Sequence, residues 1–221
     1  MGKSLNLLKR MIAFFIGMTI IQFGVALYVK TNIGSDPFTV FTQGLSMLLN
    51  ISIGQANMII LATLITIIFL VGRKHINIGT LICVVGVGPI IDLGVKLSSY
   101  FAIESLGLIS KMLVVVLGCV IIAIGFSILS ASNLGVAPND IIPFLIQEKT
   151  NYQYRWIRIS LDATLFVIGG ILLNGVYGIG TVISLLLTGP LIQICLPYGE
   201  KFIKLITKEE TDVEEESVLE N

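Results

Sequence analysis

The chain contains the same pattern twice. At an offset of 101 residues, Gly17, Ile20, Ile21 and Gly24 recur as Gly118, Ile121, Ile122 and Gly125, and Asn32, Gly34 and Pro37 recur without a gap as Asn133, Gly135 and Pro138. The register continues through Ala62-Thr63-Leu64 and Ala163-Thr164-Leu165. It then runs through Ile78, Gly79, Thr80, Gly88 and Pro89, matched by Ile179, Gly180, Thr181, Gly189 and Pro190. Shared apolar composition produces chance matches of Ile and Leu, but not of Gly, Pro and Asn, which are placed by what the backbone must do. The sequence therefore predicts two copies of one structural unit, over about residues 11–95 and 109–196.

Those units are built from apolar runs. With 55% hydrophobic and 13% charged residues and a mean hydropathy of +0.94, the chain lacks the roughly 25% charge that covers a soluble domain. Water-soluble enzyme folds are excluded, and the bilayer becomes the first expected partner. A helix needs about 20 mostly apolar residues to cross about 30 Å of hydrocarbon. Six segments meet that length: residues 11–29, 55–72, 77–95, 109–130, 157–173 and 178–196. Segments 38–49 and 139–147 are too short, and each begins just after a proline, so they read as re-entrant or interfacial half-helices. The expected fold is all-α: six transmembrane helices in two inverted three-span repeats, forming one transmembrane domain over 1–208.

Charge placement orients this arrangement. With the N-terminus inside and six crossings, Lys3, Lys9, Arg10, Arg73, Lys74, Lys149, Arg155, Arg158, Lys201, Lys204 and Lys208 are cytoplasmic, and only Lys30, Lys96 and Lys111 face out. That bias satisfies the positive-inside rule with both termini cytoplasmic, in a bacterial plasma membrane. Were the two short segments also to cross, Arg73 and Lys74 would move outside. An odd number of crossings per repeat inverts the second copy relative to the first. Seven of the fourteen acids follow Lys208, so segment 209–221 reads as an acidic, disordered cytoplasmic tail.

The pattern NxGxxP, Asn32 to Pro37 and Asn133 to Pro138, spells helix stop, turn and helix start. Asn and Gly accept the left-handed backbone that ends a helix, and Pro suits the first position of the next. Inverted-repeat transporters place substrate sites at such breaks, where half-helix N-termini offer unpaired N–H groups. On that reading Asn32, Ser35, Asp36, Thr39, Gln43, Asn133, Asn139 and Asp140 are the candidate substrate-binding residues. The competing reading is a tight extramembrane turn capped by Asp36.

Ionisable and polar groups at membrane depth form a second candidate set, because a charge in hydrocarbon is costly and functional by default. Asp92 and its repeat counterpart Gln193 follow the two Gly-Pro pairs, and Asp162 lies one helical turn from Arg158, with which an ion pair is the structural alternative. Gly34, Pro37, Gly135 and Pro138, together with Gly88, Pro89, Gly189 and Pro190, read as hinge and close-packing positions. Cys83, Cys119 and Cys195 fall singly in apolar runs, so no disulfide, metal or cofactor is expected. No nucleophile stands beside a base, and no P-loop or dinucleotide fingerprint is present, so an enzyme is not expected.

Two stretches carry a likeness to a known group: Gly24 to Ser46, GVALYVKTNIGSDPFTVFTQGLS, and Ile76 to Gly94, INIGTLICVVGVGPIIDLG. In order and spacing they resemble the YczE/YyaS/YitT group of small bacterial integral membrane proteins, and the resemblance runs from about Gly17 to Cys195. It implies a polytopic bacterial plasma-membrane protein and brings no catalytic residue with it. The soluble C-terminal domain of some YitT-branch members is missing here, which places the chain nearer the YczE and YyaS branch. The function expected is a small-solute transporter or permease with a central site at the repeat interface. The alternatives are a non-enzymatic membrane scaffold or the substrate-binding subunit of a multi-component transporter. The solute is an unidentified small molecule, nucleic acid is not an expected partner, and a homodimer or a partner subunit stays open.

Overall fold

A computed structural model describes residues 2–207, and the acidic segment 209–221 lies outside the described residues. Among the described residues eight α-helices follow one another: α1 Gly2–Thr31, α2 Pro37–Leu49, α3 Ile53–Val71, α4 Ile78–Ser98, α5 Leu108–Ala131, α6 Pro138–Thr150, α7 Tyr154–Phe166 and α8 Ile179–Thr207. There is no strand among the described residues. The starts of α2, α3 and α4 lie 101 residues before those of α6, α7 and α8, the same offset found in the sequence. Left-handed backbone obeys the same offset at Asn32 and Asn133, Asn50 and Asn151, and Gly34 and Gly135.

The local reasons for these boundaries are visible in the side chains. Asp36 caps α2 by accepting from the Thr39 N–H at 3.1 Å and the Thr39 hydroxyl at 2.6 Å, with Pro37 at the first helical position. Ser52 and Gln55 form a reciprocal capping box on α3. Gly34 and Gly135 have φ of 108° and 114°, a region closed to side chains, which accounts for the glycine in each NxGxxP turn.

Among the described residues five helices are long and apolar enough to cross a membrane: α1, α3, α4, α5 and α8. The sixth expected span, residues 157–173, has a different form. It is the thirteen-residue α7, with its two arginines and one aspartate, continued by a six-residue π-helical turn, Val167–Leu172. The widened turn arises where Gly169 meets the backbone of Phe41 and Gly175 meets the Val40 carbonyl, so α2 presses against the end of this segment.

The core is a crossing of α1 and α5. A Cβ on Gly17 would strike the Gly125 carbonyl and one on Gly24 the Gly118 carbonyl, so the two helices run in opposite directions at backbone-contact distance. Two apolar clusters flank the crossing. One gathers Phe14, Met18, Leu61, Cys83, Val87, Ile91 and Leu129, and the other Tyr28, Val115, Cys119 and Ile122. The Tyr28 hydroxyl donates to Cys119 Sγ at 3.0 Å and lies 3.3 Å from Thr188 Oγ1, tying α1 to α5 and α8.

Each NxGxxP turn docks on the other half of the chain. The Gly180 N–H donates to the Ile33 carbonyl, and the Gly79 N–H donates to the Leu134 carbonyl, both at 2.9 Å. The Gly-Thr pairs Gly79-Thr80 and Gly180-Thr181 are thus the sockets for these turns. The Gly-Pro pairs part ways. Gly88 faces Gly54 and Met58 of α3, while nothing stands within 4 Å of where a Gly189 side chain would be. Gln193, the counterpart of Asp92, is exposed on the same bare face of α8.

Candidate functional site: a cavity between the two halves

The four helices α2, α3, α6 and α7 line a partly open cavity of about 350 Å³. Five pairs of lining residues are related by the 101-residue offset: Phe38 and Asn139, Phe41 and Ile142, Ile60 and Leu161, Thr63 and Thr164, and Leu64 and Leu165. The cavity therefore sits where the halves meet, with equivalent elements on opposite walls. Its volume falls at the small end of ligand pockets, which span about 300–1,000 Å³.

The walls differ in chemistry where positions 101 residues apart differ in sequence. The first half contributes an apolar wall of Phe38, Phe41, Leu45, Ile59 and Ile60. The second half contributes Asn139, Arg158 and Asp162, at positions where the first half has Phe38, Asn57 and Leu61. Arg158 is held from two sides: Nε donates to Asp162 Oδ2 at 3.3 Å, and a terminal nitrogen donates to Asp140 Oδ1 at 3.2 Å. Asn139 Nδ2 also donates to Asp140 Oδ1, at 3.3 Å. Asp140 stands in the first turn of α6, where the positive end of the helix dipole favours a carboxylate. Asp36, at the head of α2, lies close enough to act through space on both Asp140 and Asp162.

The sequence candidates divide accordingly. Asn139, Asp140 and Asp162 come together at the cavity. Asn32 is exposed, and Asn133 lines a separate polar cleft of about 580 Å³ that also holds Lys74, His75 and Glu148. Both asparagines serve as left-handed helix stops. Ser35, Thr39 and Gln43 are buried, and Asp36 is spent on its helix cap. The N-terminus of α2 is therefore occupied by its own carboxylate, and that of α6 carries Asp140. Neither offers the open row of N–H groups that an anionic group would require.

Asp92 has a structural partner set: Ser52 Oγ donates to it at 2.5 Å and the Gly54 N–H at 2.8 Å, so it caps α3 from a neighbouring helix. Gln193 has no such role, because α7 does not lie against α8 there. Sequence reasoning passed over Phe38, Phe41, Thr63, Thr164 and Asn57. The repeated Ala-Thr-Leu triplet was the available signal for the two threonines. Asn57 shares an α3 face with Ile60 and Leu64, three and seven residues on, and its Oδ1 is buried without a hydrogen-bond partner. Ser35 Oγ and Gln43 Oε1 are likewise buried and unpaired.

Outside the spans, Glu148 accepts from Lys74 Nζ at 3.0 Å and faces His75 Nε2 at 3.1 Å, which holds its carboxyl below the ordinary 4.5. The Lys30 ammonium at 2.8 Å does the same for Glu104.

Five crossing-length apolar helices packed through glycine contacts define a multi-pass helical membrane protein. Its most distinctive feature is a closed crossing of two equivalent helices beside an interfacial cavity. The chain belongs to DUF6198, a family of unknown function whose profile matches residues 8–197. It is similar to the uncharacterised membrane protein YczE of Bacillus subtilis, 30% identical over 195 residues that cover 87% of each chain. It is also similar to the uncharacterised protein YyaS of the same organism, 28% identical over 191 residues covering 84% of this chain and 92% of the relative. A third relative is an uncharacterised protein of Haemophilus influenzae, 25% identical over 179 residues, covering 81% of this chain and 79% of its own length. No solved structure matches the chain.

Proposed function

We propose that the chain is a small-solute transporter of the bacterial plasma membrane whose two halves are inverted repeats around the cavity between α2, α3, α6 and α7. The observation that carries this reading is the lining itself, because one cavity is walled by five pairs of repeat-related residues. A site shared by two equivalent halves can be exposed first to one side and then to the other by rocking one half against its counterpart. The antiparallel contact of α1 with α5 supports the inversion: equivalent helices that cross a bilayer in opposite directions are related by an axis in its plane. The sixth crossing is α7 with its π-helical continuation. Its thirteen plus six residues rise roughly 27 Å, close to the thickness of the hydrocarbon core. The short helices α2 and α6 are then re-entrant, both termini are cytoplasmic, and the protein carries no catalytic group.

Two measurements test this. Single cysteines at the exposed Asn32 and Asn133, in a background lacking native cysteines, are expected to label from opposite sides of intact cells; labelling from one side refutes the inversion. Thr164→Trp, at the exposed rim of the cavity, is expected to abolish solute flux in proteoliposomes while the unfolding midpoint is retained. Undiminished flux in that variant refutes the site.

A further inference from the structure

The polar corner of the cavity is rich in acceptors and carries more negative than positive charge. Two carboxylates, Asp140 and Asp162, share the single guanidinium of Arg158, and Asp36 adds a third negative group nearby. Asp162 accepts through Oδ2, so its Oδ1 stays open, and Asn139, which donates through Nδ2, presents its own carbonyl oxygen as an acceptor. The hydroxyls of Thr63 and Thr164 donate to their own helix, to the Ile59 and Ser160 carbonyls, both at 2.8 Å, so they offer the cavity no donor. Arg158 keeps further N–H groups, but an anionic ligand reaching them would be placed beside the two carboxylates that the guanidinium already pairs. A ligand that donates hydrogen bonds and carries positive charge finds its partners already in place. Across from this corner, Phe38 and Phe41 supply aromatic surface, which attracts both apolar groups and cations.

Resting on the transporter reading above, we propose that the solute is a small apolar ammonium: an aromatic or branched aliphatic body against Phe38 and Phe41, with one protonated primary or secondary amine on Asp162 and Asn139. The same ammonium chemistry occurs in a phosphatidylethanolamine headgroup, so the source is settled by the lipid used.

The test is equilibrium binding to the purified full-length protein in nanodiscs of phosphatidylglycerol, which has no amine. The probes are 2-phenylethylammonium, its uncharged isostere propylbenzene and the anion 3-phenylpropanoate. The ammonium is expected to bind best, and Asp162→Asn to weaken it about tenfold or more. Phe38→Leu is expected to weaken it less, with unfolding midpoints confirming that both variants are folded. Loss of ammonium binding when phosphatidylethanolamine is included assigns the site to the lipid headgroup and keeps the ammonium class. Tighter binding of 3-phenylpropanoate, or equal binding of all three probes, overturns the proposal while leaving the cavity as a site. Absence of binding by any probe, together with undiminished flux in Thr164→Trp, overturns the site itself.

Discussion

Replacing Asp92 tests whether an intramembrane carboxylate is structural or part of a transport path. Its two oxygens accept the Ser52 hydroxyl and the Gly54 N–H at the head of α3, at 2.5 and 2.8 Å. In Asp92→Ala the Gly54 N–H loses its acceptor in a place where the neighbouring chain excludes water. Such an orphaned donor costs about 1–3 kcal/mol, and the lost attraction between carboxylate and helix dipole adds about 0.3–1 kcal/mol. The Ser52 hydroxyl can turn toward another acceptor, so its contribution is small. Together these give a loss of about 1–4 kcal/mol, or a midpoint lowered by roughly 3–16 °C in a chain of this length. Asp92→Asn keeps one acceptor and loses the charge, so its drop is expected to be about a third to a half as large. Ser52→Ala removes the cap on the Gln55 N–H as well as the bond to Asp92 and is expected to cost about 0.5–2 kcal/mol. Because Cys83 and Cys119 are buried, a thiol-reactive dye reports the unfolding of detergent-solubilised protein directly. Loss of solute flux in Asp92→Ala with an unchanged midpoint would show that the carboxylate works on solute or protons, and would refute the capping argument.

Gly34→Ala is expected to be poorly folded: its φ of 108° is closed to alanine, and the new Cβ would fall 2.5 Å from Thr181 Oγ1. The matching change at Gly135 meets Asn77 Cβ at 2.8 Å and is expected to be damaging as well, with monodisperse yield after solubilisation as the measure. Arg158→Ala leaves two carboxylates facing one another and is expected to cost about 1–3 kcal/mol, less than for a fully buried pair because the site is partly open. Adding Asp162→Asn to that variant should restore part of the loss in the same dye-based melt, and a purely additive double variant would argue against the cluster. At the polar cleft, the Glu148 carboxyl is held below 4.5 by Lys74 and then His75, so its stabilisation is present above that value and is lost as pH falls through the lowered one. The difference in midpoint between the parent and Glu148→Gln should therefore be seen at about pH 6, be lost as the pH falls below 4.5 through the lowered value, and shrink with added salt.

What the sequence made legible follows from which residues have local meanings. Asn32, Gly34 and Pro37 dictate backbone conformation wherever they stand, so the helix stops and starts of both halves were readable from spacing alone. The π-helical turn was not, because Gly169-Gly170 sits among Val, Ile and Leu like any packing glycine, and its cause is the backbone of Phe41, distant in sequence. The candidate site was legible in one half. Asp140, Asn139 and Asp162 stand out as polar residues near a break, whereas Phe38 and Phe41 look like the apolar stripe of any short helix. Asp92 drew attention as a charge at membrane depth, and its partners Ser52 and Gly54 are assembled only when α3 folds back onto α4.

The reciprocal seating of the two turns bears on how such a chain is made. As the protein emerges from the ribosome, the Gly79 N–H must wait for the carbonyl of residue 134, and the Ile33 carbonyl must wait for the N–H of residue 180. Neither half can make these turn contacts by itself, so the first remains provisional until nearly the whole chain has been made. A gene cut in the linker between α4 and α5 should therefore give two fragments that survive only when synthesised together. Each half serves as part of the other's assembly template, and neither is expected to stand alone.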